Sequence, residues 1–164
     1  LLAINDIEAK IKWPNDIYVG EEKICGILIE NSLSGSDLSH SIIGVGLNVN
    51  QVEFDPSLPN PTSMQKISGE NYDTHSILEQ FTDIFKDYMD RYCHIKGGYG
   101  RLRKLYLAQM WRKDELSSFI NHRSEQPTEF KGTIRGLSDV GHMLIEDEEG
   151  ELREFAFKEI SYIL

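Results

Sequence analysis

The chain has 164 residues, 40% hydrophobic and 27% charged, a globular balance that excludes wholesale disorder. Such a length makes one domain, or one with a small appendage, and buries roughly 70% of its unfolded surface without staples. Seventeen Lys and Arg against 27 Asp and Glu leave a formal charge of −10, which repels phosphate backbones, so no nucleic acid is an expected partner.

The N-terminal LLAINDIEAK has neither the basic flank nor the cleavage site of a signal peptide. No apolar run reaches the ~20 residues of a bilayer span, so no membrane partner is expected. Residues 10–13 (KIKW) alternate polar and apolar, as a half-buried strand does. After Pro14-Asn15-Asp16 comes a short β-type run, IYV, and Gly20-Glu21-Glu22 forms a turn. Residues 23–31 predict a long strand, 32–39 (SLSGSDLS) a polar loop, and 41–49 another strand. Short connections between them predict an antiparallel meander. From Gln51 to Asp73 the chain reads as loop, with three of the five prolines.

The period then changes to 3.6. Ile77, Leu78, Phe81, Ile84, Phe85, Tyr88, Met89 and Tyr92 form one apolar stripe, read as the core-facing side of a helix capped by Asp73 or Thr74. Gly97-Gly98 ends it, and a second helix is expected over residues 99–111. Residues 113–118 read as a linker. Short β-type runs follow at 119–121, 128–136, 142–146, 152–157 and 160–164, separated by Gly-containing turns, with EDEEG (146–150) as a hairpin end. Five short strands in so few residues predict a small SH3-like barrel, with Phe130, Ile134, Leu144, Phe155, Phe157 and Ile160 in its core. Cys25 and Cys93 lack CxxC spacing and sit in apolar segments, which predicts buried free thiols in a cytoplasmic protein.

No GxSxG, P-loop or HExxH is present, and the five histidines lack ligand spacing, so no metal site is predicted. The informative block is KWPNDIYV (12–19), KICGILIE (23–30) and IIGVGLNVN (42–50). Gly26, Gly44 and Gly46 interrupt apolar strands, which costs stability and marks places where a ligand or another backbone comes close. Asn15, Asp16 and Lys23 stand at strand or turn ends. An apolar slot with a glycine floor and one cation suits a small, largely apolar carboxylate.

These residues resemble the biotin protein ligase family. The resemblance rests on KWPND, then Lys23-x-x-Gly26-Ile27-Leu28-x-Glu30, then Gly44-x-Gly46-x-Asn48, in order and spacing. It implies an α+β fold: a partial mixed β-sheet with packed helices (a class II synthetase-like core) over residues 1–112, and the SH3-like β-barrel over 119–164. It also implies the chemistry. Biotin and ATP, with Mg2+, give biotinyl-5′-AMP, and a lysine of a biotin carboxyl carrier protein, an acetyl-CoA carboxylase subunit, attacks this anhydride. By position, Lys23 and Asp16 are the implied catalytic residues. Lys23, Gly26, Leu28, Gly44 and Gly46 are implied for biotin, and Asn15 and Asn48 for the adenylate. A homodimer is compatible with the resemblance. The family's Gly/Arg-rich adenylate loop (GRGRxG-like) is not found in residues 1–164. The expectation is therefore a C-terminal part of a bacterial ligase, inactive in adenylation by itself. Two rival readings stand beside it: a non-catalytic biotin- or carrier-binding module, and a lipoate ligase-like enzyme, against which the WPND–KxxGILxE pairing argues.

Overall fold

Short connections decide the first sheet. Strands β1 (Lys10–Lys12), β2 (Asp16–Val19), β3 (Glu22–Ser34) and β4 (Asp37–Leu47) follow one another with two or three residues between them. Links that short can only reverse the chain, because parallel neighbours need a long crossover. The sheet is accordingly antiparallel throughout, in the order β1-β2-β3-β4. This corrects the mixed sheet that the resemblance implies. This computed structural model describes residues 1–35 and 37–163. Two compact units result, Leu1–Leu102 and Arg103–Leu164.

In the first unit the expected loop at 32–39 is strand on both sides: pairing runs out to Ser34 opposite Asp37. Ser36 lies outside the described residues. The polar side chains of Asn31, Ser34, Ser39 and Ser41 therefore face solvent from a hairpin rather than from a loop, and Ser41 donates to Asn31 at 2.7 Å across the pair. Ile7, Ile24, Cys25, Met64 and Ile77 form the core of this unit. Helix α1 (Met64–Ser68) is capped by Ser63, whose hydroxyl accepts from Lys66 N–H at 3.1 Å. Helix α2 (Thr74–Tyr88) is capped by the Asp73 carboxylate, as expected, through the amides of His75 and Ser76. Its stripe is less buried than the periodicity suggests. Ile77 alone is buried, while Leu78, Phe85 and Tyr88 are exposed. A π-helical turn, Met89–Cys93, follows and leaves Cys93 exposed, against the expectation of burial. Helix α3 (Gly98–Ala108) comes next.

In the second unit, β5 (Leu116–Asn121), β6 (Thr128–Leu137), β7 (Met143–Asp147), β8 (Leu152–Phe155) and β9 (Ile160–Tyr162) form an antiparallel sheet ordered β8-β7-β6-β5-β9. The ladders among the described residues do not join β8 to β9, so the sheet is open where a closed barrel was expected. Leu116–Ser118, read as linker, is strand, paired with Lys131–Thr133 of β6. Leu164, in the last expected strand, lies outside the described residues. Phe119, Ile134, Met143, Ile145, Phe155 and Ile160 are buried. In β7 the parity is one residue off the expectation, with Met143 and Ile145 inward and Leu144 between them. Phe157 falls beyond β8 and is 59% exposed. The acidic run ends a hairpin as expected: Gly150 N–H bonds Asp147 C=O at 3.0 Å. Among the described residues, no helix is long and apolar enough to cross a membrane.

A Cβ on Gly132 in β6 would lie 2.5 Å from Ile145 Cγ2 and 2.9 Å from the Glu146 carbonyl oxygen. One neighbour is backbone and cannot yield cheaply. Gly132→Ala should therefore destabilise the second unit by about 1–3 kcal/mol, as overpacking does. An unchanged urea midpoint for this variant would contradict the packing described.

Candidate functional site

Strand alternation alone would put Lys23 and Gly26 on opposite faces of β3, because they stand an odd number of positions apart, with Ile24 and Cys25 between them. A β-bulge changes this. Ile17 pairs with Cys25 and Tyr18 pairs with Lys23, so Ile24 is an extra residue in the ladder. Two residues opposite one shift the parity of everything before them. Ile24 and Cys25 consequently both enter the core, and Lys23 comes to the same face as Gly26. A Cβ on Gly26 would sit 3.4 Å from both Cε and Nζ of Lys23 and 3.6 Å from Asp16 Oδ1. Lys23 Nζ lies 2.7 Å from Asp16 Oδ1, with 42% of the lysine side chain and 25% of the aspartate exposed. An ion pair this wet contributes about 0–1 kcal/mol to folding. Its consequence is positional: it holds one cation over a strip of bare backbone.

That strip continues across the hairpin, where Asp16 pairs with Gly26, Gly26 with Gly46, and Leu28 with Gly44. Asn15, Asp16, Lys23, Gly26, Leu28, Gly44 and Gly46 line one open depression of about 490 Å³, together with Ile27 and Val45. Leu28 is 63% exposed, an apolar side chain held out to solvent beside the glycines. A second depression of about 300 Å³ shares Asp16, Lys23, Gly26 and Gly46 and adds Asn48, Tyr18 and residues 58–61. The ion pair thus stands between two hollows. One is walled by β3 and β4, the other by a proline-rich segment.

The two asparagines have defined partners. Asn15 Nδ2 donates to Ile27 C=O at 2.8 Å, and Ile27 N–H donates back to Asn15 C=O at 2.8 Å, which clasps the turn before β2 onto β3. Asn48 Nδ2 donates to Thr62 C=O at 2.9 Å, and Asn48 N–H bonds Ile24 C=O at the bulge. All eight residues singled out from the sequence therefore line one depression or both. Sequence reasoning missed Tyr18 and Leu58–Pro61. Tyr18 is buried and accepts from Lys12 Nζ at 2.9 Å. Nothing in the period of residues 51–61 says that they return to Lys23; the one available signal was the prolines, which stiffen a loop.

The Biotin/lipoate A/B protein ligase family matches residues 2–48, the part that holds the ion pair and the glycines. The bifunctional ligase/repressor BirA of Bacillus spizizenii is 33% identical over 149 residues, covering 88% of this chain and 43% of that protein. A biotin–[acetyl-CoA-carboxylase] ligase of Paracoccus denitrificans is 28% identical, covering 85% of this chain and 58% of its own. The chain belongs to the biotin protein ligase family. Its fold agrees: the Aquifex aeolicus biotin protein ligase in complex with biotin and ATP superposes with a TM-score of 0.68 at 28% identity, over 98% of this chain and 64% of that one. The chain spans about half the length of the curated ligases it matches.

Burial pushes the Cys25 thiol up to about 11; the nearby Lys23 lowers it and Asp16 raises it by smaller amounts. At pH 8 about one Cys25 in a thousand is then thiolate, the form that reacts. Cys93 is exposed. Alkylation of the native protein at pH 8 should therefore consume one thiol fast and the other orders of magnitude more slowly. Two thiols reacting at comparable rates would contradict the burial of the bulge. Because an unfolded Cys25 would ionise first, near pH 9, the same burial makes stability fall as the pH rises from about 9 towards 11.

Proposed function

We propose that this chain supplies residues of the site at which a ligase activates biotin and transfers it to a biotin carboxyl carrier protein. The supporting observation is the Lys23–Asp16 pair held over the Gly26–Gly46 strip, with Leu28 and Gly44 alongside. In the first step a biotin carboxylate oxygen attacks the α-phosphorus of ATP. The bond to the bridging oxygen breaks, giving biotinyl-5′-AMP and pyrophosphate. Magnesium enters with the nucleotide, as the MgATP substrate. In the second step the ε-nitrogen of a carrier lysine attacks the anhydride carbonyl. The bond to AMP breaks, an amide forms, and one proton leaves the nitrogen.

The roles follow from the chemistry. Two anionic groups must meet in the first step, and a fixed ammonium beside them offsets the charge of carboxylate and phosphate in the transition state. We assign this to Lys23. Asp16, in contact with Lys23 Nζ, orients it. Asp16 is also the carboxylate available to the proton of the incoming amine, whose ordinary pKa of ~10.4 makes deprotonation the hard part of the second step. Glycines 26, 44 and 46 and Leu28 make the apolar floor for biotin. Asn15 and Asn48, on the two rims, are assigned to the adenylate side. For residues 119–164 we keep the SH3-like reading, supported by five short antiparallel strands and the register shift between Ile134 and Gly136 of β6. Its role would be to assist ATP and carrier binding.

Lys23→Ala should leave the fold intact, because the side chain is half in water. Loss of its charge should raise the barrier to adenylation by about 2–4 kcal/mol, as loss of an oxyanion-stabilising donor does, or roughly 30- to 1000-fold in rate. Biotin-dependent pyrophosphate release by the intact protein measures it. A rate within twofold of wild type would remove Lys23 from the mechanism.

A further inference from the structure

Lys23 is held by more than its partner on β2. Strand β4 stops pairing with β3 at Leu47 opposite Cys25, so the outer edge of Lys23 has no strand beside it. Residues 60–62 fill the place. Lys23 N–H donates to Asn60 C=O at 2.7 Å, and Thr62 N–H donates to Lys23 C=O at 2.9 Å, a parallel bridge centred on Pro61. Asn60 is bonded a second time, because its Nδ2 donates to the carbonyl of Glu21 in the β2–β3 turn. One residue thus grips the chain two positions before Lys23 with its side chain and at Lys23 with its backbone. The strap is itself fixed. Thr62, Ser63 and Met64 are buried, Asn48 Nδ2 holds Thr62 C=O, and Lys66 Nζ donates to Pro61 C=O at 3.4 Å.

A lysine has four rotatable side-chain bonds, so an ammonium is placed well only if its Cα is placed well. The bulge at Ile24 interrupts the ladder just where Lys23 begins, and a bulge alone leaves local pairing disrupted. We propose that Asn60 is a positioning residue for Lys23, acting through the main chain of residues 21–23 and not by touching biotin or nucleotide. This rests on the ligase reading of Lys23.

Two measurements on the full chain test it. Hydrogen exchange of Asn60→Ala should speed selectively at the Lys23 amide, while the Ile27 amide, bonded to Asn15, keeps its protection. Uniform acceleration, or an unchanged Lys23 amide, would overturn the proposal. Biotin titration is the second. Asn60→Ala should weaken binding about fivefold, the scale of one hydrogen bond, and Asn60→Gln, which keeps the amide, should recover part of the loss. In a Lys23→Ala background the same Asn60→Ala change should have no further effect on binding, because its route to the ligand is gone. An equal loss in both backgrounds would make Asn60 a general structural residue and overturn the proposal. A wild-type protein that binds no biotin would sink the ligase reading instead, and the exchange experiment would still decide the positioning of Lys23.

Discussion

The contact between Lys23 and Asp16 exists because one residue, Ile24, is inserted into the β2–β3 ladder. Without it, Lys23 would lie on the helix-covered face of the sheet among Cys25, Ile27 and Leu47, where an ammonium would have to be stripped of water. With it, two consecutive apolar residues enter the core and the lysine emerges over Gly26. The three glycines then become intelligible together. Gly26 leaves room for the pair itself, and Gly44 and Gly46 extend the bare strip across β4. Their cost in strand stability is offset by the core beneath, where Ile24 is fully buried.

The ion pair is too exposed to be explained by stability. Surface pairs of this kind are screened and entropically costly. What is unusual is the number of separate devices that converge on Lys23: the bulge, the Asn15 clasp on β3, the strap at 60–62 and the Asn48 bond to Thr62. The clasp, the strap and the Asn48 bond fix backbone around Lys23, and the bulge turns its side chain to the face of Gly26. Convergence of this sort suits a charge that must meet a ligand in one geometry.

Much of this was legible in the sequence, and the reasons for the rest are physical. Alternation in 10–13 and the glycine turn at 20–22 predict the meander, and the eight residues singled out from the WPND–KxxGIL–GxGxN block each line one hollow or both. Four features were not readable. Period-2 logic cannot see a bulge, so the shared face of Lys23 and Gly26 does not follow from their spacing. Prolines announce a loop at 56–61 but not its docking partner, which is set by tertiary hydrogen bonds to Glu21 and Lys23. The α2 stripe predicts a buried face, yet burial also depends on what lies opposite, and Leu78 and Phe85 stay exposed. In β7 a one-residue difference in register exchanged Leu144 for Met143 and Ile145. The sequence shows alternation there, but not which face is inward.

Glycine amides make the most direct test available, because they are well separated in a two-dimensional nitrogen–proton NMR spectrum. Biotin titrated into the protein should shift the amides of Gly26, Gly44 and Gly46, with Lys23, while Gly132 and Gly150 of the second unit stay in place. Saturable shifts confined to that set would establish the glycine strip under Lys23 as the biotin floor. Biotin binding that left all three glycines unmoved, or shifted residues away from Lys23, would contradict it.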